Sequence, residues 1–270
     1  MKLAYNLFPG GLSKALTLSY DDGRIHDRKL IDILNRHGIK STFHLNSGKF
    51  GMQGYIEAEE VTALYSGHEV SVHTVTHPFL EQTPRERIIM EVVEDRRSLE
   101  GLAGYPVRGM SYPFGTYNAE VVSILKALGI QYSRTTQSTK RFDLPEEPLL
   151  WHPTCHHRDM LALSEEFLAL TPKPWGTKPS LFYVWGHSYE FHDNNNWEDI
   201  ERFCSLMGGR SDIWYATNME IIDYFQALDR LQLSVDGSIL HNPSASPLWV
   251  SANNQPVEIG PGQTVRLGEL

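Results

Sequence analysis

One pattern recurs along this chain: a short apolar run, a polar or glycine-rich turn, then a segment with helical periodicity. Residues 15–20 end on Asp21-Asp22-Gly23 and lead into 27–37, where Leu30, Ile31 and Leu34 share a helical face closed by Gly38. Residues 41–45 lead through Gly48, Gly51 and Gly54 to a helix over 58–65; 68–72 lead to one over 83–102; 107–112 lead to one over 119–128. Further strands are expected at 131–134, 181–185 and 213–216, with helices at 159–170, 196–207 and 219–228. Strands separated by helices pair in parallel through right-handed crossovers, which leaves a closed barrel or an open doubly wound sheet. The barrel is the better reading. It predicts functional side chains at the C-terminal ends of several strands, where Asp21, Asp22, His73, Phe114 and His187 fall, whereas an open sheet gathers them at one switch point.

The pattern holds over residues 1–230, taken as one α/β domain. Residues 231–270 change to short alternating runs broken by Asp236-Gly237, Asn242-Pro243, Asn253-Asn254 and Gly260-Pro261-Gly262. Val250, Val257, Ile259, Val265 and Leu267 mark a small C-terminal β appendage, too short for an independent sheet and so expected to pack on the barrel. A formal net charge of -9 offers no basic face for nucleic acid, and no apolar run is long enough to cross a membrane. The N-terminal residues lack the apolar core of a secretory signal, and two cysteines, Cys155 and Cys204, do not make a disulfide framework. A reducing, cytoplasmic setting is expected.

The chemistry starts from Ser-Val-His-Thr-Val-Thr-His-Pro, residues 71–78, which sets His73 and His77 at a spacing that lets two imidazoles turn to one point. Two adjacent carboxylates at a strand end, Asp21 and Asp22, can diverge: one binds a metal, the other bonds the water on it. Two histidines and one carboxylate leave coordination positions open, as a catalytic rather than a structural metal site requires. A divalent metal is expected, zinc first, with cobalt, nickel, manganese or iron as alternatives.

Leu-Ser-Tyr-Asp-Asp-Gly resembles the first motif of the polysaccharide deacetylases, the NodB-like carbohydrate esterases of family 4, and His-Thr-Val-Thr-His-Pro resembles their second. Ser111-Tyr112-Pro113-Phe114-Gly115 is similar to the third and Trp185-Gly186-His187 to the fifth, in the same order along the chain. The resemblance implies a distorted (β/α)7 barrel that removes N-acetyl groups from a carbohydrate by attack of a metal-activated water. It implies Asp22, His73 and His77 as metal ligands, Asp21 as general base, the Phe114 backbone N–H as oxyanion donor and His187 as general acid. Such roles suit amide hydrolysis, where nitrogen must be protonated to leave.

Two positions depart from the family pattern. Ser111 stands where the third motif carries an arginine, and Arg134, at the end of the next strand, is expected to supply that charge in preference to Arg108. The Asp-rich fourth motif is not recognisable, and its nearest counterpart is residues 151–157, with His156 and then His157 as candidates to line the site. These departures keep two alternatives open: hydrolysis of a non-sugar amide such as a cyclic ureide or imide, and a non-catalytic carbohydrate-binding barrel. His44 and His68 are read as packed, hydrogen-bonded histidines. Trp185, Tyr189, Phe191 and Trp197 suit core packing and sugar stacking equally, and the oligomeric state is left open.

Overall fold

In the computed structural model, residues 2–171 and 178–267 are described. Parallel strands form a curled sheet in the order Tyr132–Arg134, Gly109–Ser111, Glu69–Val72, Ser41–Leu45, Lys14–Asp22, Ser180–Gly186, Cys155–His156, with Trp214–Tyr215 also pairing Lys14–Asp22. The two outer strands meet through one irregular stretch. Trp151 bridges Arg134 and exchanges backbone hydrogen bonds with Ser133 and Thr135, and a few residues later Cys155 and His156 pair with Val184 and Trp185. This single stretch closes a distorted (β/α)7 barrel, and its prolines explain why no strand was expected there: proline cannot donate to a ladder.

The central strand Lys14–Asp22 sets the layers by its alternation. Leu16, Leu18 and Tyr20 face the helices in the main apolar core, with Leu30 and Leu34 of the helix Asp27–Arg36 and with Phe43 of the neighbouring strand. Thr17, Ser19 and Asp21 face the barrel interior, where Thr17 Oγ1 donates to Asn218 Oδ1, Tyr183 OH bonds Ser19 Oγ, and Asp21 meets Arg134. The barrel is therefore apolar outside its sheet and polar within, where most of these buried side chains bond one another.

The long helix Arg85–Ala103 ends on Gly104, whose φ of 77° is the left-handed C-cap that glycine reaches without a Cβ penalty. The helix expected over 58–65 is a 3-10 turn, Ala58–Glu60, followed by one helical turn, Val61–Leu64. A short helix, Ser188–Asp193, was not anticipated, because its aromatic residues mask the period. Pro172 and Pro174, between the helix expected at 159–170 and the strand expected at 181–185, lie outside the described residues.

Beyond the helix Asn218–Leu228, the strands Leu248–Ala252 and Gln255–Ile259 form a hairpin on Asn253-Asn254, both at positive φ as a tight two-residue turn demands. The N-terminal strand Leu3–Ala4 adds to its edge, and Gln232–Leu233, Ile239–His241 and Thr264–Arg266 form a second small sheet. Tyr224, Ala227 and Leu228 pack with Leu240, Leu248, Val250 and Ile259. Both cysteines are buried and unpaired, and among the described residues no helix is long and apolar enough to cross a membrane.

Candidate active site

The C-terminal ends of the Lys14–Asp22 and Glu69–Val72 strands bring Asp22, His73 and His77 together. Asp22 Oδ1 lies 3.7 Å from His73 Nε2 and 3.7 Å from His77 Nε2. That oxygen is buried with no hydrogen-bond partner, an expensive state for a carboxylate unless a cation faces it. His73 Nδ1 donates to the Ser111 carbonyl at 3.0 Å; a carbonyl only accepts, so the proton sits on Nδ1 and Nε2 keeps its lone pair. Burial lowers the pKa of both histidines, that of His77 to about 4 with help from His73 beside it, which leaves neutral rings of the kind metals bind. Donor set, orphaned oxygen and tautomer fit a divalent metal.

The backbone around these candidate ligands is strained. Asp22, Thr74, His77 and Phe114 have φ values of 82°, 69°, 61° and 59°, left-handed conformations that cost non-glycine residues on the order of 1 kcal/mol or more each. Buried polar groups hold them there. Asn46 donates to the carbonyls of His73 and Thr74 at 2.6 and 2.9 Å, Asp95 accepts from the amides of Ser47 and His73, and Glu91 accepts from the amide and hydroxyl of Thr76. Asp95 and Glu91 come from the long helix and were missed in the sequence, where they read as ordinary helical acids.

Asp21 has different partners from Asp22. Its Oδ2 is held by Arg134 Nη2, its Oδ1 accepts from Ser111 Oγ at 3.2 Å, and Oδ2 lies 3.9 Å from His73 Nε2. Burial alone would raise its pKa, but Arg134, then His73 and His44, hold the carboxyl well below the usual range. Arg134 is itself buried, with its guanidinium over the Trp185 ring at 4.4 Å. Arg108 instead pairs with Asp223 near the surface. Ser111 therefore links Asp21 and His73, since its hydroxyl also lies 2.7 Å from His73 Nδ1.

Phe114 presents a half-exposed ring stacked on Phe79 at 3.7 Å and set 4.4 Å from the His77 ring. His187 follows the Ser180–Gly186 strand, its ring 5.7 Å from that of Trp185 and 5.1 Å from that of Tyr189. Gly186, just before it, makes room for His157: a Cβ there would meet His157 Nδ1 at 2.1 Å. Phe191 is core, stacked on His157 at 4.1 Å, and Trp197 packs behind it, so of the four aromatics Trp185 and Tyr189 are the ones beside His187. His68 is packed and bonded, accepting from the Ser41 amide and meeting Asn35. His44 departs from expectation: it is fully buried with neither ring nitrogen bonded, and burial keeps it neutral beneath Asp21.

The sequence profile of the family described as Polysaccharide deacetylase matches residues 11–133, the span that carries Asp21, Asp22, His73, His77 and Phe114. Residues 11–133 are thus similar to the polysaccharide deacetylases. A peptidoglycan-N-acetylglucosamine deacetylase of Bacillus cereus is 32% identical over 120 residues, 42% of this chain and 41% of the relative. A chitin deacetylase of Pestalotiopsis is 30% identical over 114 residues, 42% of this chain and 38% of the relative. The matches thus span less than half the length of these curated relatives. A crystal structure from Mycobacterium smegmatis, assigned to the polysaccharide deacetylases, superposes with a TM-score of 0.63 at 14% identity, covering 85% of this chain and 96% of that one, and so shares the fold.

Proposed function

We propose that this polysaccharide deacetylase-type barrel is a metal-dependent hydrolase that removes N-acetyl groups from a carbohydrate. The observation that carries this reading is the division of labour between neighbouring carboxylates. Asp22 Oδ1 is buried, unbonded and aimed at two imidazole nitrogens, while Asp21 is ionised, clamped by Arg134 and Ser111, and not needed as a ligand. A divalent ion, zinc by preference, held by Asp22, His73 and His77 would lower the pKa of a water toward about 7 and polarise the acyl oxygen.

The residues supply the rest. Asp21 takes one proton from the water as its oxygen adds to the acyl carbon, and Arg134 keeps Asp21 charged for that task. The Phe114 N–H, turned by its left-handed backbone, donates to the oxyanion. His187 gives its proton to the amine nitrogen as the carbon–nitrogen bond breaks, leaving acetate and a free amino sugar. The named relatives support the sugar as substrate class, and the stacked Phe79 and Phe114 beside His77 offer an apolar face for a pyranose ring.

The test is acetate release from N-acetylglucosamine oligomers with and without a chelator. Activity should vanish on chelation and return with metal, and Asp21→Asn and His187→Ala should each lower kcat by about 100- to 10,000-fold. Undiminished turnover by Asp21→Asn would remove Asp21 as the base. A metal-loaded protein that deacetylates no N-acetylated sugar would remove the substrate class.

A further inference from the structure

Glu190 lies three residues beyond His187, in the first turn of the helix Ser188–Asp193. Its Oε2 is 2.9 Å from His156 Nε2, 3.2 Å from His157 Nε2 and 3.5 Å from His187 Nδ1. Three imidazoles around one carboxylate oxygen can hold a cation or hold protons, and the tautomers decide between them. His156 Nδ1 accepts the Arg158 amide N–H at 3.3 Å, so its lone pair is engaged there and the proton is on Nε2, facing Glu190. A protonated nitrogen is no metal ligand. His157 sits between Tyr20 and Phe191 rings, neutral, with burial and then His156 depressing its pKa to about 3. Its Nε2 faces the same carboxylate oxygen, where an N–H is attracted and a lone pair repelled.

We propose that Glu190, locked by the Nε2–H groups of His156 and His157, is the positioning residue of His187, orienting the ring with Nδ1–H toward Glu190 and Nε2 toward the substrate. The 3.5 Å contact lacks the alignment of a formed hydrogen bond in the free protein, and such catalytic contacts commonly tighten only with substrate bound. The role falls to a residue of the strand-to-helix turn that carries the acid itself. The inference rests on His187 acting as the acid of the proposed deacetylation.

The charges around His187 agree with that role. Asp21 and Asp22 face it from the central strand, Glu190 from its own helix, His157 from the adjoining turn, and Tyr189 beside it. Burial opposes a charge on His187, but Glu190 first, then Asp21 and Asp22, outweigh it and raise its pKa. Burial likewise opposes a charge on Glu190, and the neighbouring His156 and His187 overcome it, holding that carboxyl well below its usual range.

The experiment compares wild type, Glu190→Gln, Glu190→Asp and His156→Ala, each checked for folding by circular dichroism and for metal content. Imidazole titration by NMR, with His187→Ala to assign the signal, needs no turnover. The His187 pKa should fall by about one unit in Glu190→Gln and less in Glu190→Asp. In kinetics, the alkaline limb of kcat/KM should move to lower pH by the same amount, and kcat should drop about tenfold or more with KM little changed. An unmoved His187 titration in Glu190→Gln overturns the proposal. So does a second equivalent of metal in the wild type that is lost in Glu190→Gln, which would make the cluster a cation site. If Glu190→Gln does not fold, the titrations of Glu190→Asp and His156→Ala decide in the same way. A wild type that titrates as expected but releases no acetate keeps the positioning role and removes the deacetylase reading.

Discussion

Asp21 and Arg134 form a fully buried ion pair, and such pairs are asymmetric: breaking one costs far more than the pair contributes. Arg134→Met should therefore destabilise the protein by about 3–5 kcal/mol, because Asp21 would be left charged and uncompensated. Asp21→Asn added to Arg134→Met should recover much of that loss, and urea unfolding of the single and double variants measures the coupling. Additive effects would show that the two side chains do not depend on each other. Ser111 makes a separate prediction. Ser111→Ala removes the hydroxyl that lies against His73 Nδ1 and bonds Asp21, so metal affinity should fall about 10- to 100-fold, read by competition with a chelating dye. Arg134 could be chosen from the sequence because its strand ends beside the third motif. Glu190 could have been found from its spacing to His187 on a helical turn. Asp95 could not, since nothing in a helical run of acids marks the one that turns inward.

At the scale of elements, the loop after the Glu69–Val72 strand keeps its shape through the long helix rather than by its own preference. Asp95 accepts two backbone amides, from Ser47 and His73, and an asparagine offers one oxygen where two donors converge. Asp95→Asn should cost about 1–3 kcal/mol and weaken metal binding in parallel, by denaturant titration and metal competition. Asp27 ties two other elements: at the start of the Asp27–Arg36 helix it accepts from Tyr65 OH at 2.7 Å and from Ser188 Oγ, the residue after His187. Burial, opposed by those two hydroxyls, raises its pKa from the ordinary 3.8 to about 7. A raised carboxyl pKa means the folded state prefers the neutral acid. The penalty is absent below pH 3.8 and grows as pH climbs toward 7, reaching on the order of a few kcal/mol. Thermal unfolding should thus show stability falling from pH 5 to 7 in the wild type, with a shallower slope in Asp27→Asn; equal slopes would assign the pH dependence to other groups. The helices and strands themselves were legible wherever a period ran for several turns, as in Leu30, Ile31 and Leu34. The barrel closure at Trp151 to His156 was not, because one bridging residue between Pro148 and Pro153 and a two-residue strand after them carry no period.

For the whole molecule, the unit repeat and the strand-end placement of Asp21, His73 and His187 were enough to choose a barrel. What remained hidden was how the two ends of the chain meet. Leu3–Ala4 is too short to show alternation, yet it pairs with Leu248–Ala252, and the Tyr224 hydroxyl donates to the Leu7 carbonyl while accepting the Trp249 amide. The C-terminal strands therefore seal one face of the helix Asn218–Leu228 and hold the N-terminus at once. Ending the chain after Arg230 would expose Tyr224, Ala227 and Leu228 and unpair Leu3–Ala4. The candidate metal ligands and their supports all lie before residue 100, apart from Ser111, and none belongs to that cluster. The shortened protein should melt at lower temperature and bind a hydrophobic dye while retaining the metal stoichiometry of the full chain. A smaller probe of the same packing is Leu248→Ala, a fully buried side chain whose truncation should cost about 2–5 kcal/mol. Unchanged melting of both variants would mean that the C-terminal strands lie on the barrel without stabilising it; loss of metal along with the tail would mean that the site depends on a face remote from its ligands.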